Sequence, residues 1–282
     1  MKPAPFAYAR AKSVDHAIDL LGSSGGEARL LAGGQSLMAS LNMRLSHPSL
    51  LIDINGIGAL SGIAAAKDRV AIGAMTRHAQ AEASPEIAKH VPLIARAMPH
   101  IAHPAIRNRG TIGGSVAFAD PAAELPACMM ALDAEFTIKG PKGERNVKAG
   151  DFFKGLFETA IGPQDILTGI SVPAATASRR TGFGELTRRH GDYAIVGLAA
   201  SGEAKGKGYD KLRLVYFGVG ATPVRATKAE AALSEGDIDG AAKAVAGDID
   251  PPDDIQASGA TRRHLAGVLL KRVAAQLAEA RS

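Results

Sequence analysis

The chain has 282 residues, of which 46% are hydrophobic and 22% charged, a composition typical of a globular protein long enough for two domains. Its net charge of +5 is spread along the sequence and aromatic residues make up only 4%, so neither a nucleic-acid patch nor a base-stacking platform is indicated. The single cysteine, Cys128, excludes an internal disulfide and indicates a reducing compartment. Since no apolar run reaches the ~20 residues of a membrane span, we expect a cytoplasmic protein without a membrane helix.

The first 56 residues predict a small α+β lobe. Its central feature is a strand that leads directly into Ala32-Gly33-Gly34-Gln35-Ser36, followed by a helix. Loop amides and a helix N-terminus can share an anion in such an arrangement. The predicted elements are an edge strand at 6–8, a helix over 14–21 with Ser13 as N-cap, strands at 28–31 and 50–54, and a helix at 37–45.

Residues 57–176 predict a second α+β lobe. The pair His103-Pro104 is expected to break a helix just before the segment that contains Thr111-Ile112-Gly113-Gly114-Ser115. The predicted elements are a hairpin of strands at 63–65 and 70–74, a helix from a Thr76 cap into Ala83, a helix from Pro92 to about Ile101, a glycine loop at 110–114, a helix from Asp120-Pro121 through Leu132, a hairpin of strands at 135–139 and 146–148, and a last strand at 166–172.

The sequence changes character after a linker at 173–178. Residues 177–282 predict a smaller C-terminal domain in which an antiparallel sheet is followed by helices. The predicted elements are strands at 183–186, 194–201 and 212–219, and helices at 228–233, 238–245 and 260–280.

The two glycine loops share one design, in which paired glycines lie close to hydroxyl residues. Glycine lets the backbone approach a ligand closely, and exposed amides can form a concave nest for anionic oxygens. Either loop alone is as well explained by an ordinary turn. Together they predict a site that grips a phosphate-bridged ligand from two sides, in a chain whose chemistry is carried by a bound cofactor.

Longer stretches around these loops resemble a known family. AGGQS at 32–36, HPAIRNRGTIGGS at 103–115, ADPAAELPA at 119–127, RRHGDYAIV at 188–196 and GVGATPVRA at 218–226 are similar to the medium, FAD-binding subunit of the molybdenum hydroxylases, the group of xanthine dehydrogenase and aerobic carbon monoxide dehydrogenase. The resemblance covers most of the chain. It implies an α+β fold with a two-lobed vanillyl-alcohol-oxidase-type FAD domain, here 1–176 with lobes 1–56 and 57–176, and a C-terminal domain at 177–282.

The resemblance also implies a division of labour between subunits. A large molybdopterin subunit would oxidise the substrate, and a small subunit with two 2Fe–2S clusters would pass electrons to FAD on this chain and on to an external acceptor. A single cysteine agrees with this, because a cluster needs several thiolates. The family further implies a heterotrimer, assembled as a dimer of heterotrimers.

Site residues follow from the resemblance by matched position. The pyrophosphate is expected at the amides of 32–36 and 111–115, with hydroxyls from Ser36, Thr111 and Ser115. Glu124 matches an acidic position that binds a sugar-type hydroxyl, although a surface carboxylate is the simpler alternative. Glu185 stands where some members carry a lysine near the flavin, which leaves the potential and the acceptor open. The expected FAD-binding residues, with the cofactor held non-covalently, are Ala32, Gly33, Gly34, Gln35, Ser36, Ile101, Ala102, Thr111, Gly113, Gly114, Ser115, Glu124, Ile166, Leu167 and Tyr193.

Two other functions stay open on the sequence. One is a self-contained flavin reductase or oxidase on the same fold, similar to UDP-N-acetylenolpyruvoylglucosamine reductase; the sequence offers it no convincing acid or base. The other is a flavin-free scaffold subunit. The sequence identifies neither the substrate nor the final electron acceptor.

Overall fold

The computed structural model describes residues 2–279, and its first lobe is a three-stranded parallel sheet with helices. The strand order is β1–β3–β2, so the first strand is an edge strand, as predicted. Ser13 caps the first helix by accepting a hydrogen bond from the His16 amide, which confirms the predicted N-cap. The elements are β1 (Ala7–Arg10), α1 (Val14–Ser23), β2 (Ala28–Leu31), α2 (Leu37–Asn42) and β3 (Leu50–Asp53).

The second lobe is built on a five-stranded antiparallel sheet with the order β4–β5–β10–β6–β7. Both predicted hairpins are present, and the strand at the end of the lobe lies at the centre of the sheet. The elements are β4 (Ile63–Ala65), β5 (Arg69–Gly73), α3 (His78–Glu82), α4 (Pro85–His90), α5 (Pro92–Ala97), α6 (Pro104–Arg107), α7 (Ile112–Phe118), α8 (Glu124–Ala131), β6 (Glu135–Gly140), β7 (Gly143–Lys148), α9 (Ala149–Phe152), β8 (Phe153–Gly155), β9 (Glu158–Thr159) and β10 (Ile166–Pro173).

The C-terminal part is a four-stranded antiparallel sheet with three helices. One face of this sheet packs on α5 and α8 of the second lobe, and the other face packs on the last helix. The predicted helix to residue 280 ends within the described chain at Ala278, and residue 280 itself lies outside the described residues. The elements are β11 (Arg179–Leu186), β12 (Val196–Lys205), β13 (Gly208–Phe217), β14 (Val224–Arg225), α10 (Thr227–Ser234), α11 (Ile238–Ala244) and α12 (Gly259–Ala278).

One hydrophobic core joins the second lobe to the C-terminal sheet. Phe183, Val215 and Phe217 of the sheet belong to the same buried cluster as the residues of α5 and α8. Apolar burial on this scale is the main stabilising contribution to a fold. The two lobes followed by an antiparallel sheet confirm the predicted α+β class.

Three local predictions were wrong, and for two of them a hydrogen bond explains the difference. Thr76 does not cap a helix: its hydroxyl bonds the backbone of Gly62, and α3 begins two residues later. The helix expected at Asp120-Pro121 begins at Glu124, because Asp120 instead closes a turn by accepting from the Ala122 amide. Residues 112–118 are helical, so the second pair of glycines lies in the first turn of α7 and not in a loop.

Candidate cofactor-binding site

The two glycine segments lie side by side, although 74 residues separate them in sequence. A Cβ built on Gly33 would lie 2.8 Å from the Cα of Gly110 and would collide with the carbonyl oxygen of Arg109. A Cβ on Gly114 would lie 3.8 Å from the Cβ of Ala32. We call residues 32–36 the first glycine loop and residues 111–115 the second glycine segment. Their backbones are close enough to form two walls of one cleft.

Two polar side chains outside both segments hold the first loop in place. The side-chain amide of Asn55, which follows β3, donates to the carbonyl oxygens of Leu31 and Ala32 at 3.2 and 2.9 Å. Its Oδ1 accepts from Arg77 Nη2 at 2.6 Å, and Arg77 Nη1 donates to the carbonyl of Arg109. This Asn55–Arg77 bracket therefore ties the first loop to Arg109, two residues before the second segment.

The backbone amides of the two segments are in opposite states. In the second segment, the amides of Ile112, Gly113, Gly114 and Ser115 donate to Thr76 O, Ala74 O, Thr111 Oγ1 and Thr111 O. Within residues 2–279, none of the amides of residues 33–36 donates a hydrogen bond to the protein. Unpaired amides in a half-buried loop require an acceptor, from water or a ligand. The free donors for an anion are therefore in the first loop.

The second segment is a rigid wall built by its own residues. Thr111 is buried at the N-cap of α7, where its side chain accepts from the Gly114 amide at 3.0 Å. A Cβ on Gly113 would lie 2.6 Å from the carbonyl oxygen of Ala74, so only glycine fits between α7 and the end of β5. The sequence prediction assigned this segment donor amides. What it offers without breaking internal bonds is a side-chain-free surface and the hydroxyl of Ser115.

Ile101 and Ala102 form a turn that a buried arginine fixes. Ala102 has φ +45°, a left-handed conformation that is uncommon outside glycine. Arg107 Nη1 donates to the carbonyl oxygens of Ile101 and Ala102 at 3.0 and 3.2 Å, and its Nε pairs with Glu82 at 2.8 Å. Arg107 and Glu82 therefore position this turn, and neither was singled out in the sequence.

The loop that carries Tyr193 reaches this turn. A Cβ on Gly191 would lie 2.9 Å from the carbonyl oxygen of Ala102, so the C-terminal domain contributes to the same cleft. Tyr193 is 60% exposed, yet burial by the surrounding protein raises the pKa of its phenol, and the charges of Asp120 and Glu124 raise it further.

The predicted acidic residue is buried. Glu124 begins α8 and is 9% exposed, and burial raises the pKa of its carboxyl group to about 8, with contributions from Glu185 and Asp120. This excludes the simpler alternative of a surface carboxylate. At neutral pH the group is a neutral acid that can donate as well as accept a hydrogen bond.

Ile166 and Leu167 lie at the start of β10, and their side chains are buried in hydrophobic cores. The next residue, Thr168, accepts from the Ala74 amide, and Ala74 is the residue that contacts Gly113. Through Ala74, β10 therefore supports the second segment.

The residues present fit an extended cofactor with a phosphate bridge. The site offers the unpaired amides of the first loop, glycine backbones that no side chain covers, and the buried acid Glu124, whose pKa burial raises to about 8. Most of the predicted residues lie around it. Asn55, Arg77, Arg107 and Glu82 were missed, because their roles depend on partners 5–32 residues away that no local motif reveals.

Comparisons with known proteins agree with this fold. The family described as "FAD binding domain in molybdopterin dehydrogenase" matches residues 4–175, and the "CO dehydrogenase flavoprotein C-terminal domain" matches residues 182–277. The 6-hydroxypseudooxynicotine dehydrogenase complex subunit alpha of Paenarthrobacter nicotinovorans is 40% identical over 98% of this chain and 95% of its own. The carbon monoxide dehydrogenase medium chain of Hydrogenophaga pseudoflava is 35% identical over 96% of both chains.

Solved structures of this family have the same fold as the chain. A chain of a carbon monoxide dehydrogenase from Hydrogenophaga pseudoflava, in a form that lacks the Mo-pyranopterin moiety of the molybdenum cofactor, superposes with a TM-score of 0.95. Its sequence identity is 37%, and the match covers 98% of each chain. Within the described residues, no helix is long and apolar enough to cross a membrane.

Proposed function

Because the chain belongs to the FAD-binding medium subunits of the molybdenum hydroxylases, the family of xanthine and carbon monoxide dehydrogenases, we propose that it passes electrons from a partner subunit through non-covalently bound FAD to an external acceptor. The electrons would come from two 2Fe–2S clusters on a small subunit. Substrate oxidation would take place at the molybdenum cofactor of a large subunit. The three chains would form a heterotrimer, and two heterotrimers a dimer.

The buried state of Cys128 supports the proposal that the iron–sulfur clusters lie on another subunit. Cys128 is a buried free thiol, and burial raises its pKa, so it is neither a cluster ligand nor a reactive thiolate. Bound FAD would supply a redox group that exchanges electrons singly or in pairs. A reducing cytoplasmic location, and a domain boundary near residue 176, belong to the same proposal.

The residues that would hold FAD divide into three groups. The amides of residues 33–36, with the hydroxyls of Ser36 and Ser115, would bind the pyrophosphate against the wall formed by Gly113 and Gly114. Glu124 would bond a hydroxyl group of the cofactor. The concave surface near the isoalloxazine would be formed by Ile101, Ala102 and Tyr193, and the start of β10, Ile166 and Leu167, would support the wall.

The observation that carries the proposal is the contact between the two glycine segments. The amides of residues 33–36 are unpaired and the glycine turn of α7 lies beside their loop, so a diphosphate bound there would accept hydrogen bonds from the first loop and contact the second segment. The remaining residues of the cleft then exclude water and orient the cofactor. No step in this account requires a catalytic side chain on the chain itself.

The test is flavin occupancy. The purified protein should be yellow and should release FAD when it is precipitated with acid. Gly114→Asp should empty the site, because the new side chain collides with the Thr111 hydroxyl, 2.6 Å from the Cβ position, and brings a negative charge near the pyrophosphate. Gly58→Asp is the matched control, because a Cβ there meets nothing within 4 Å.

The possible outcomes separate the competing functions. Full flavin occupancy of Gly114→Asp would show that the segments do not bind the cofactor. A colourless wild-type chain that takes up no FAD on reconstitution would favour the scaffold alternative. Turnover of an organic substrate by the isolated yellow chain would favour the self-contained reductase.

A further inference from the structure

A cavity of about 360 Å³ lies where the C-terminal end of α8 meets the C-terminal sheet. This volume is in the range of sites that bind small molecules, roughly 300–1,000 Å³. None of the residues that line the cavity is among those expected to bind FAD. Glu124 begins α8, and a helix of this length places it about 10 Å from the cavity. The cavity is therefore separate from the candidate cofactor site.

Apolar side chains form one part of the lining. Ala131 and Leu132 come from the end of α8, Pro173 from the end of β10, and Leu212 from β13. Leu132 and Leu212 are buried in the protein on their other sides. A ligand in the cavity would cover this apolar surface, which favours an organic molecule over a small hydrated ion.

The charged part of the lining contains four cations and one acid, Asp133. Three of the cations are arginines, and each pairs with a carboxylate that holds it in place. The pairs are Arg179 with Glu203 at 2.8 Å, Arg213 with Asp133 at 3.0 Å and Arg225 with Glu230 at 2.5 Å. Within residues 2–279, Arg213 Nε and Nη1 and Arg225 Nη1 form no hydrogen bond with the protein. Guanidinium donors therefore remain available on side chains that are already positioned.

Lys211 is the fourth cation, and its side chain forms no ion pair or hydrogen bond within the described residues. Its φ of +50° is in the left-handed region, which is uncommon outside glycine. The register of β12 and β13 shifts here, so that Lys211 and Leu212 lie opposite the single residue Gly202. A β-bulge of this kind redirects a side chain, and strained backbone is often found at functional sites. The bulge places an unpaired ammonium group on the lining of the cavity.

Structural roles explain the arginines but not the lysine. The Arg213–Asp133 pair joins the C-terminal sheet to the second lobe, and cations are favourable near the C-terminus of α8, where the helix dipole is negative. Neither role requires Lys211, whose side chain is exposed and unbonded. Once the three ion pairs are formed, one positive charge of the lining is left without a carboxylate.

We propose that this cavity binds a small organic carboxylate, with its charged group at Lys211, Arg213 and Arg225 and its apolar part against Leu132 and Leu212. A monoanion matches the one positive charge that has no partner. The planar guanidinium group has donors spaced to match the two oxygens of a carboxylate. The site does not involve FAD, so this inference is independent of the proposed function.

The test follows benzoate binding by NMR, using backbone amides of the full-length chain labelled with 15N. Benzamide is the neutral analogue, and inorganic phosphate is an anion without an apolar part. Benzoate should shift the amides of Leu132, Asp133, Lys211 and Leu212 and saturate them. Benzamide and phosphate should each bind at least about tenfold more weakly, since each lacks one of the two features that the cavity recognises.

Three variants change the charge of the site in known directions. Lys211→Met removes the unpaired charge and keeps an unbranched side chain, so benzoate should bind about fivefold more weakly. Lys205→Met is the matched control: it removes the same charge from the same hairpin, but Lys205 is 71% exposed and pairs with Asp210 outside the cavity. It should leave the affinity unchanged. Asp133→Asn removes the acid of the lining and should strengthen binding about threefold; asparagine also tolerates the φ of +55° at this position.

Several results would overturn the proposal. One is the absence of saturable benzoate binding up to about 10 mM. Another is a set of shifts at residues 33–36 and 111–115, which would place benzoate in the cofactor site. Equal affinity in Lys211→Met and Lys205→Met, or phosphate binding as tight as that of benzoate, would do the same. Thermal unfolding of each variant verifies that it is folded, and the titrations give their answer whether or not the chain binds FAD.

Discussion

The two glycine segments resemble each other in sequence and differ in how they are stabilised. The second segment caps itself, since Thr111 accepts from Gly114, and all four amides that follow Thr111 are bonded within the protein. The first loop has no side-chain cap at Ser36 and leaves its amides unpaired. Its position depends on Asn55 and Arg77, which come later in the chain.

This difference assigns separate roles to the two segments. A segment with satisfied amides forms a wall whose shape is independent of the ligand. A loop with unpaired amides gains its missing hydrogen bonds when the ligand arrives, so it contributes affinity. Removing the Ser36 hydroxyl from the first loop should therefore act mainly on FAD binding, and removing the Thr111 cap from the second segment should act mainly on stability.

The largest expected effect is at Gly33, where the first loop packs against the two residues that precede the second segment. Gly33→Ala places a methyl group against the backbone of Arg109 and Gly110, neither of which can move away as a side chain could. We expect a loss of about 3 kcal/mol in the free energy of unfolding, and an FAD affinity lower by about 100-fold, the equivalent of about 2.7 kcal/mol. Gly150→Ala, which meets nothing within 4 Å, should change neither in denaturant titrations or flavin binding. Wild-type affinity in Gly33→Ala would show that the contact is not part of the site.

Acid should weaken the second segment through His78. His78 is buried beneath Gly110, and burial lowers its pKa to about 4. Because the unfolded chain takes up a proton at higher pH than the folded chain does, stability falls as the pH drops from about 6.5 to 4, by about 3 kcal/mol in total. Chemical denaturation of the cofactor-free protein at several pH values measures this. His78→Gln should lose most of the slope between pH 6.5 and 5; an unchanged slope would contradict the assignment.

The Asn55–Arg77 bracket should matter for the first loop only. Asn55→Ala leaves the carbonyls of Leu31 and Ala32 without this donor, and we expect a loss of about 2 kcal/mol in stability and about tenfold in FAD affinity. Asn146→Ala is the control, since Asn146 accepts only an exposed hydrogen bond from Thr137 in a hairpin. Equal effects of the two variants on flavin binding would rule out a bracket specific to the first loop.

The smallest effects separate the two segments most sharply. Thr111→Ala should cost about 1 kcal/mol of stability, because it removes an N-cap. Ser36→Ala should change stability by less than about 0.5 kcal/mol, since Ser36 makes no capping bond, yet it should weaken FAD binding. Thermal unfolding and flavin titration of both variants check this. The comparison fails if Ser36→Ala destabilises the protein as much as Thr111→Ala does.

The sequence predicted the features that depend on local pattern. The N-cap at Ser13, the two hairpins of the second lobe and the antiparallel C-terminal sheet follow from caps, turns and alternation within a few residues. It failed where a side chain has a distant partner. Thr76 has the character of a helix cap, but it bonds Gly62, 14 residues earlier.

The same limit applies to the site. The glycine pairs were recognisable, because the requirement for a missing side chain is written in the residue itself. Their different hydrogen-bond states were not, because Thr111 and Ser36 look equivalent until the backbone is traced. The burial of Glu124 was equally hidden, since only the packing of the C-terminal sheet on α8 encloses the start of this helix.

The most direct test of this account is a crystal structure of the chain with FAD bound. We predict that the pyrophosphate oxygens accept hydrogen bonds from amides of residues 33–36, while Gly113 and Gly114 form the opposite wall in van der Waals contact. A pyrophosphate that is bound only by the second segment, or that lies outside the cleft between the two, would contradict it.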